Sequence, residues 1–168
     1  LGDLNDAGIR SISGGQLRKE AAWQLKEMLD VMDDLGLEEV FVLSSFRSYG
    51  YQEGLKKTWL QRLGMQAERL SADAGHSEHQ LGTTVDLSFQ SGDSLSVESD
   101  SFRWLSENGH RFGFVMTYRE DNSVFTGYDF EPWHWRYVGV ELASRIFDDG
   151  GRPERYYLTV GCRGVNEQ

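Results

Sequence analysis

Apolar residues return at steps of three and four from Leu17 through Ala21, Leu25, Met28 and Met32 to Leu35, and the next segment, EEVFVLSSF, drops that period for a β-branched run. This juxtaposition constrains the fold more than any other feature. A one-faced helix and an apolar strand adjacent in sequence must bury their faces in a common core. The spacing predicts an amphipathic helix from Ser13 onward to Leu35, stopped by Gly36, and a strand over Val40–Ser45 that delivers Arg47 to its end.

The same reading continues along the chain. Helical spacing of Leu55, Trp59, Leu60 and Leu63 predicts a helix over Tyr49–Leu63, with Gly64 behind it. Ser71–Gln80 is loop-like, TTVDLSF alternates as a strand, and QSGDSLSVESD is a turn-rich connection. A second amphipathic helix is expected from Ser99 to Asn108, ending at Gly109 and turning Phe102 and Leu105 inward. GFVMTYR and VFTGYDF read as an antiparallel hairpin turning at Glu120–Ser123, WHWRYVG as a third short strand, and GVELASRIF as a closing helix. The order of elements predicts an α+β single domain with a central, mostly antiparallel sheet and flanking helices.

Length and charge bound the rest. A chain of 168 residues has a core large enough to fold without disulfides or a structural metal, so a bound metal is expected to serve chemistry. The single cysteine, Cys162, excludes an internal disulfide and any CxxC metal site. A net charge of -10 argues against nonspecific binding to nucleic acid or to an anionic membrane surface, both of which need a basic footprint. No apolar run approaches the roughly 18 residues of a membrane span. The start, LGDLNDAGIR, is not a signal peptide and begins with Leu, so the sequence is read as a processed or trimmed chain from which any export signal or anchor could have been removed. After a domain over 1–147, composition shifts in the extension 148–168: DDGGRPE is turn-rich, and YYLTVGCRGVNEQ has no place in the core pattern. A lid, an extra strand and the start of a further domain all remain open for it.

Two clusters carry chemistry. SEHQLGTTVD places His79 before Asp86, and EPWHW places Glu131 three residues before His134. His79, Asp86 and His134 together offer two imidazoles and a carboxylate, a set suited to zinc with an open fourth position. Glu131 is left over as a general acid/base. There is no helical HExxH pattern, so the metal would sit on sheet and loop.

These residues resemble the motifs of the VanY-type D,D-carboxypeptidases of bacterial cell walls, a group that belongs with the D,D-dipeptidases, the lysostaphin-like enzymes and the Hedgehog N-terminal domains on one zinc fold. The similarity extends through SSFRSYGYQ and SFRWLSENGHRFGFV and covers roughly Leu4 to Phe147. It implies His79, Asp86 and His134 as zinc ligands, Glu131 as catalytic base, Arg47 steadying the oxyanion, and Ser77 and Gln52 lining the substrate cleft. It further implies removal of the terminal D-alanine from peptidoglycan stem peptides ending in D-Ala-D-Ala by attack of a zinc-bound water, outside the cytoplasm. Alternatives on the same site are a stem-peptide endopeptidase, a D-Ala-D-Ala dipeptidase and a non-catalytic zinc-containing binding module. The chain departs from the family pattern at Thr84, where Ala is usual, at His76, and at Thr117 and Arg119, where Arg and Pro are common. Among the remaining candidates, His76 is expected as an exposed loop residue, His110 in a structural role at a helix end, and Tyr137 as structural. Trp133 and Trp135 are expected to alternate across their strand.

Overall fold

The structure, a computed structural model, describes residues 1–156. Two short strands, β1 (Gly2–Asp3) and β2 (Gln16–Leu17), pair antiparallel and lead into helix α1 (Lys19–Asp34). The helix starts later than its apolar stripe, since Leu17 is buried from β2 instead. Its end is a Schellman motif: Gly36, at φ +70°, donates to Asp33 O, and Leu37 donates to Met32 O.

Strand β3 (Phe41–Ser44) follows, then helix α2 (Tyr49–Leu63), capped by the Ser48 hydroxyl, which accepts from Tyr51 N. The span of α2 is as its spacing predicts, but its buried face is not. Gln52 and Lys56 are the buried residues, while Leu60 and Leu63 are exposed. The reason is electrostatic: Lys56 Nζ donates to Glu68 at 2.7 Å and to Ser71 O at 2.6 Å, tying the helix to the turns that follow it.

After a 3-10 turn over Gly64–Arg69 and another over Glu78–Leu81 come strand β4 (Thr84–Ser88), helix α3 (Asp100–Asn108, capped by Ser99), strand β5 (Phe114–Met116), a one-turn helix α4 (Ser123–Thr126), strand β6 (His134–Tyr137) and helix α5 (Val140–Asp148). The four longer strands form one sheet in the order β3-β4-β6-β5, every pair antiparallel. Leu4, Leu17, Leu25, Met28 and Met32 pack with Val42, Val85, Leu87, Leu105, Phe114, Trp135 and Tyr137 in the main core.

The hairpin expected between GFVMTYR and VFTGYDF does not form. β5 pairs with β6, and VFTGYDF contains α4 instead. The Asn122 side chain closes a turn here, accepting from Arg119 N and donating to Thr117 O. Val124 and Phe125 are then left 91% and 59% exposed, a placement no central strand would give them. Of the extension, residues up to Tyr156 pack on the body: Glu154 is buried and accepts from Asn122 Nδ2, and the Tyr156 hydroxyl donates to Arg145 O. The rest of the 148–168 extension, from residue 157, lies outside the described residues.

Candidate active site

β4 and β6 are the two inner strands, and their register sets Asp86 directly opposite His134. Directly opposed residues share one face of a sheet, so the two side chains leave together. Their neighbours Val85 and Trp135, also opposed, turn into the core on the other face. His79 approaches from the Glu78–Leu81 turn, which Gly82 ends at φ +70°. Its Nδ1 lies 2.7 Å from Ser45 O. A proton donated there leaves the lone pair on Nε2, which faces the centre.

Three donor atoms converge in this way. His79 Nε2 stands 3.2 Å and His134 Nδ1 3.4 Å from Asp86 Oδ1, and the ligand atoms of the three residues all lie within 4.8 Å of one another. All three residues are buried. His79 Nε2 and Asp86 Oδ1 lack any hydrogen-bond partner. A buried polar atom left so costs about 1–3 kcal/mol, which a shared cation would offset. Two imidazole nitrogens and a carboxylate oxygen suit zinc, so the residues present fit that metal.

The surrounding charges point the same way. Burial would raise the Asp86 carboxyl, but His79 and His134 outweigh it and hold Asp86 well below the usual carboxylate range. Burial would lower His134, yet its contacts with Asp86 and Glu78 push it up to about 10. The pull on that imidazole proton is one a metal cation would also feel. Burial lowers His79. Glu131 lies with its Oε2 3.4 Å from His134 Nδ1, and burial pushes its carboxyl up to about 7, with His134 opposing and Asp86 reinforcing the shift.

Arg47, just beyond β3, donates from Nη2 to Asp86 Oδ2 at 2.6 Å and from Nε to Ser44 Oγ at 3.0 Å, with 17% of its side chain exposed. The structure thus brings five of the predicted residues together: His79, Asp86, His134, Glu131 and Arg47. Ser77 is buried immediately before the His79 turn, and its hydroxyl makes no cap bond. Gln52 stands apart from this group. It is buried on α2, donating from Nε2 to Ser71 Oγ and Ala72 O, with Oε1 buried and unpartnered.

Two residues of the centre have no counterpart in the sequence reading. Glu78 Oε2 lies 2.9 Å from His134 Nε2, and the Tyr118 ring stands 4.6 Å from the His134 ring, centre to centre. A carboxylate beside a candidate ligand was the available signal for Glu78; Tyr118 offered none. His76 is exposed, as expected, and His110 stacks on Phe147 at 3.8 Å, away from any metal-ligand grouping among the described residues. Trp135 is buried in the core with Nε1 donating to Pro132 O, whereas Trp133 is half-buried.

The chain resembles several characterised proteins. A D-alanyl-D-alanine carboxypeptidase of Enterococcus faecalis is 38% identical over 118 residues, which are 70% of this chain and 40% of that protein. The chain therefore spans less than half the length of this relative. Among solved structures, the vancomycin-resistance D,D-pentapeptidase VanY in complex with Zn(II) superposes with a TM-score of 0.77 at 31% identity, over 88% of this chain and 86% of that one. The LdcB LD-carboxypeptidase gives 0.76 at 34% identity, over 84% and 68%. Residues 14–140 match the family model for VanY, D-alanyl-D-alanine carboxypeptidase, and so take in every residue of the centre described above. This chain belongs to the VanY D-alanyl-D-alanine carboxypeptidase family.

Proposed function

We propose that the chain is a zinc-dependent D,D-carboxypeptidase that removes the terminal D-alanine from peptidoglycan stem peptides ending in D-Ala-D-Ala. The observation that supports this most is the convergence of His79 Nε2, Asp86 Oδ1 and His134 Nδ1 beside the buried carboxyl of Glu131. A zinc ion held by those three atoms would polarise the last peptide carbonyl and make a water more acidic.

The chain's own residues do the rest. Glu131 takes the proton of the attacking water and returns it to the departing amine nitrogen, so that the C–N bond breaks and D-alanine leaves with a neutral amine. A carboxyl near neutrality can do both, and burial puts Glu131 there. Arg47 turns N–H groups toward the oxygen that gains charge in the transition state. Ser77 and Gln52 belong to the wall of the cleft, Gln52 bracing it from within through Ser71 and Ala72. Residues 1–147 form the catalytic unit. The substrate puts the reaction outside the cytoplasm; no helix among the described residues is long and apolar enough to cross a membrane.

A second reading has an observation behind it. The similarity to an LD-carboxypeptidase is as close as that to the D,D-enzyme, so the stereocentre before the scissile bond is the open variable. A binding module would gain nothing from a buried carboxyl held near neutrality.

The experiment measures zinc content and D-alanine release from acyl-Lys-D-Ala-D-Ala, from a stem tetrapeptide and from free D-Ala-D-Ala. The parent is expected to hold about one zinc per chain and to release D-alanine fastest from the acylated D,D-peptide. Glu131→Ala should keep the metal and lose turnover. A zinc-loaded parent that leaves the D,D-peptide intact overturns the proposal, and preference for the tetrapeptide selects the second reading.

A further inference from the structure

Glu78 is engaged on both carboxylate oxygens by donors from two other parts of the chain. His134 Nε2 and Thr117 Oγ1 each donate to Oε2 at 2.9 Å, and Arg136 Nη1 donates to Oε1 at 2.5 Å. Thr117 directly follows β5, and Arg136 stands on β6 two residues beyond His134, hence on the same face. Glu78 itself opens the turn that carries His79. Only 12% of its side chain is exposed. Such a carboxylate would be costly to bury alone; here each oxygen is bonded.

The two histidines of the centre are oriented by different means. His79 is steered through Nδ1 by a neutral carbonyl, Ser45 O, and presents Nε2. His134 does the reverse, meeting Glu78 through Nε2 and presenting Nδ1. A neutral imidazole has one N–H, so whichever nitrogen donates leaves the other as the metal's lone pair. A carboxylate acceptor fixes that choice more firmly than a carbonyl and makes the ring a stronger ligand.

Resting on the metal reading above, we propose that Glu78 is a positioning residue of the centre: it accepts the Nε2 proton of His134 and so fixes the ring with Nδ1 toward the cation, while Thr117 and Arg136 hold the carboxylate in place. Glu78 does not touch the substrate. Within SEHQLGTTVD, then, neighbouring residues serve different partners: His79 offers a donor atom itself, and Glu78 orients the ligand supplied by EPWHW. Thr117, one of the departures from the family pattern, acquires a role as the second donor to Glu78 Oε2.

The test is zinc affinity, by competition with a chromophoric chelator, for the parent, Glu78→Ala, Glu78→Gln and Thr117→Val, with 15N spectra of the zinc-loaded histidines. Glu78→Ala should raise the zinc Kd by about 10–100-fold. Glu78→Gln, which has the same shape and keeps an acceptor oxygen without the charge, should raise it by a smaller factor, and Thr117→Val by less again. The spectra should show His134 protonated on Nε2 and metal-bound on Nδ1 in the parent, with the Nε2 proton losing its downfield position in Glu78→Ala. Should Glu78→Ala fail to fold, Glu78→Gln decides. Parental Kd and unaltered His134 shifts in the Glu78 variants overturn the role of Glu78 alone. A folded parent with no zinc affinity overturns the metal reading, and this one with it.

Discussion

The two faces of the β4–β6 pair differ by one residue of register and by everything else. On one face stand Val85, Leu87, Trp135 and Tyr137, all part of the main core. On the other stand Thr84, Asp86 and Ser88 beside His134 and Arg136. All five residues of β4 are buried, so burial does not distinguish the faces. Satisfaction does. The second face holds Thr84 Oγ1, Asp86 Oδ1 and Ser88 Oγ without hydrogen-bond partners. One side of the ribbon stabilises the fold through apolar contact, and the other gives up stability by burying polar atoms without partners.

That contrast breaks most visibly at Trp135. Trp135→Ala should cost about 3–5 kcal/mol of stability, read from the denaturant midpoint, while zinc per folded chain stays at the parent's value. Loss of zinc from the folded variant would mean that the faces are coupled. Arg47→Ala probes the reverse: turnover should fall about 10²–10³-fold with the melting temperature of the zinc-loaded protein nearly unchanged, since the cation then balances Asp86. A large drop in melting temperature would make Arg47 a structural residue. Zinc itself should stabilise the polar face, adding about 2.7 kcal/mol at a free concentration 100-fold above its Kd. A melting temperature indifferent to zinc and chelator contradicts this.

Smaller effects sharpen the comparison. Thr84→Val replaces an unpartnered hydroxyl with a methyl of the same size and should stabilise by about 1 kcal/mol; destabilisation would reveal a partner for Oγ1. On the core face, burial and the hydrogen bond to Glu20 push the Tyr137 hydroxyl up to about 12. A folded-state pKa raised above the ordinary value of about 10 contributes stability that is complete below pH 10 and fades as pH rises through 12. Tyr137→Phe should remove that alkaline slope, and a parent whose stability is flat from pH 9 to about 11 denies it.

How much of this the sequence discloses depends on the range of the interaction. α2, α3, α5 and β4 follow from local periodicity and from glycine and serine at their ends. Four of the five residues gathered at the centre are read from two short motifs because each motif is contiguous, and Arg47 from the separate segment SSFRSYGYQ. Pairing is another matter. VFTGYDF has strand composition, but Asn122 closes the chain into a turn before it, and β5 finds β6 instead. The inward face of α2 is set by Lys56 meeting Glu68 and Ser71, against the apolar spacing. Glu78 bonds to residues 39, 56 and 58 positions away, and no local pattern encodes contacts of that range.

The place of the metal pair in the strand order has a kinetic consequence. Asp86 and His134 sit on the two strands that have a hydrogen-bonded neighbour on either side, with β3 and β5 at the edges. Fraying starts at edges and loops and costs least there, so the backbone amides of β4 and β6 should be among the slowest to exchange with solvent. Opening of β3 or β5 leaves Asp86 facing His134. Glu131 and Ser77, by contrast, are carried outside the strands and follow the motions of their loops. Two of the three residues that fit a cation thus stand in the part of the molecule that opens least, whereas His79, on the Glu78–Leu81 turn, shares the looser footing of Glu131 and Ser77.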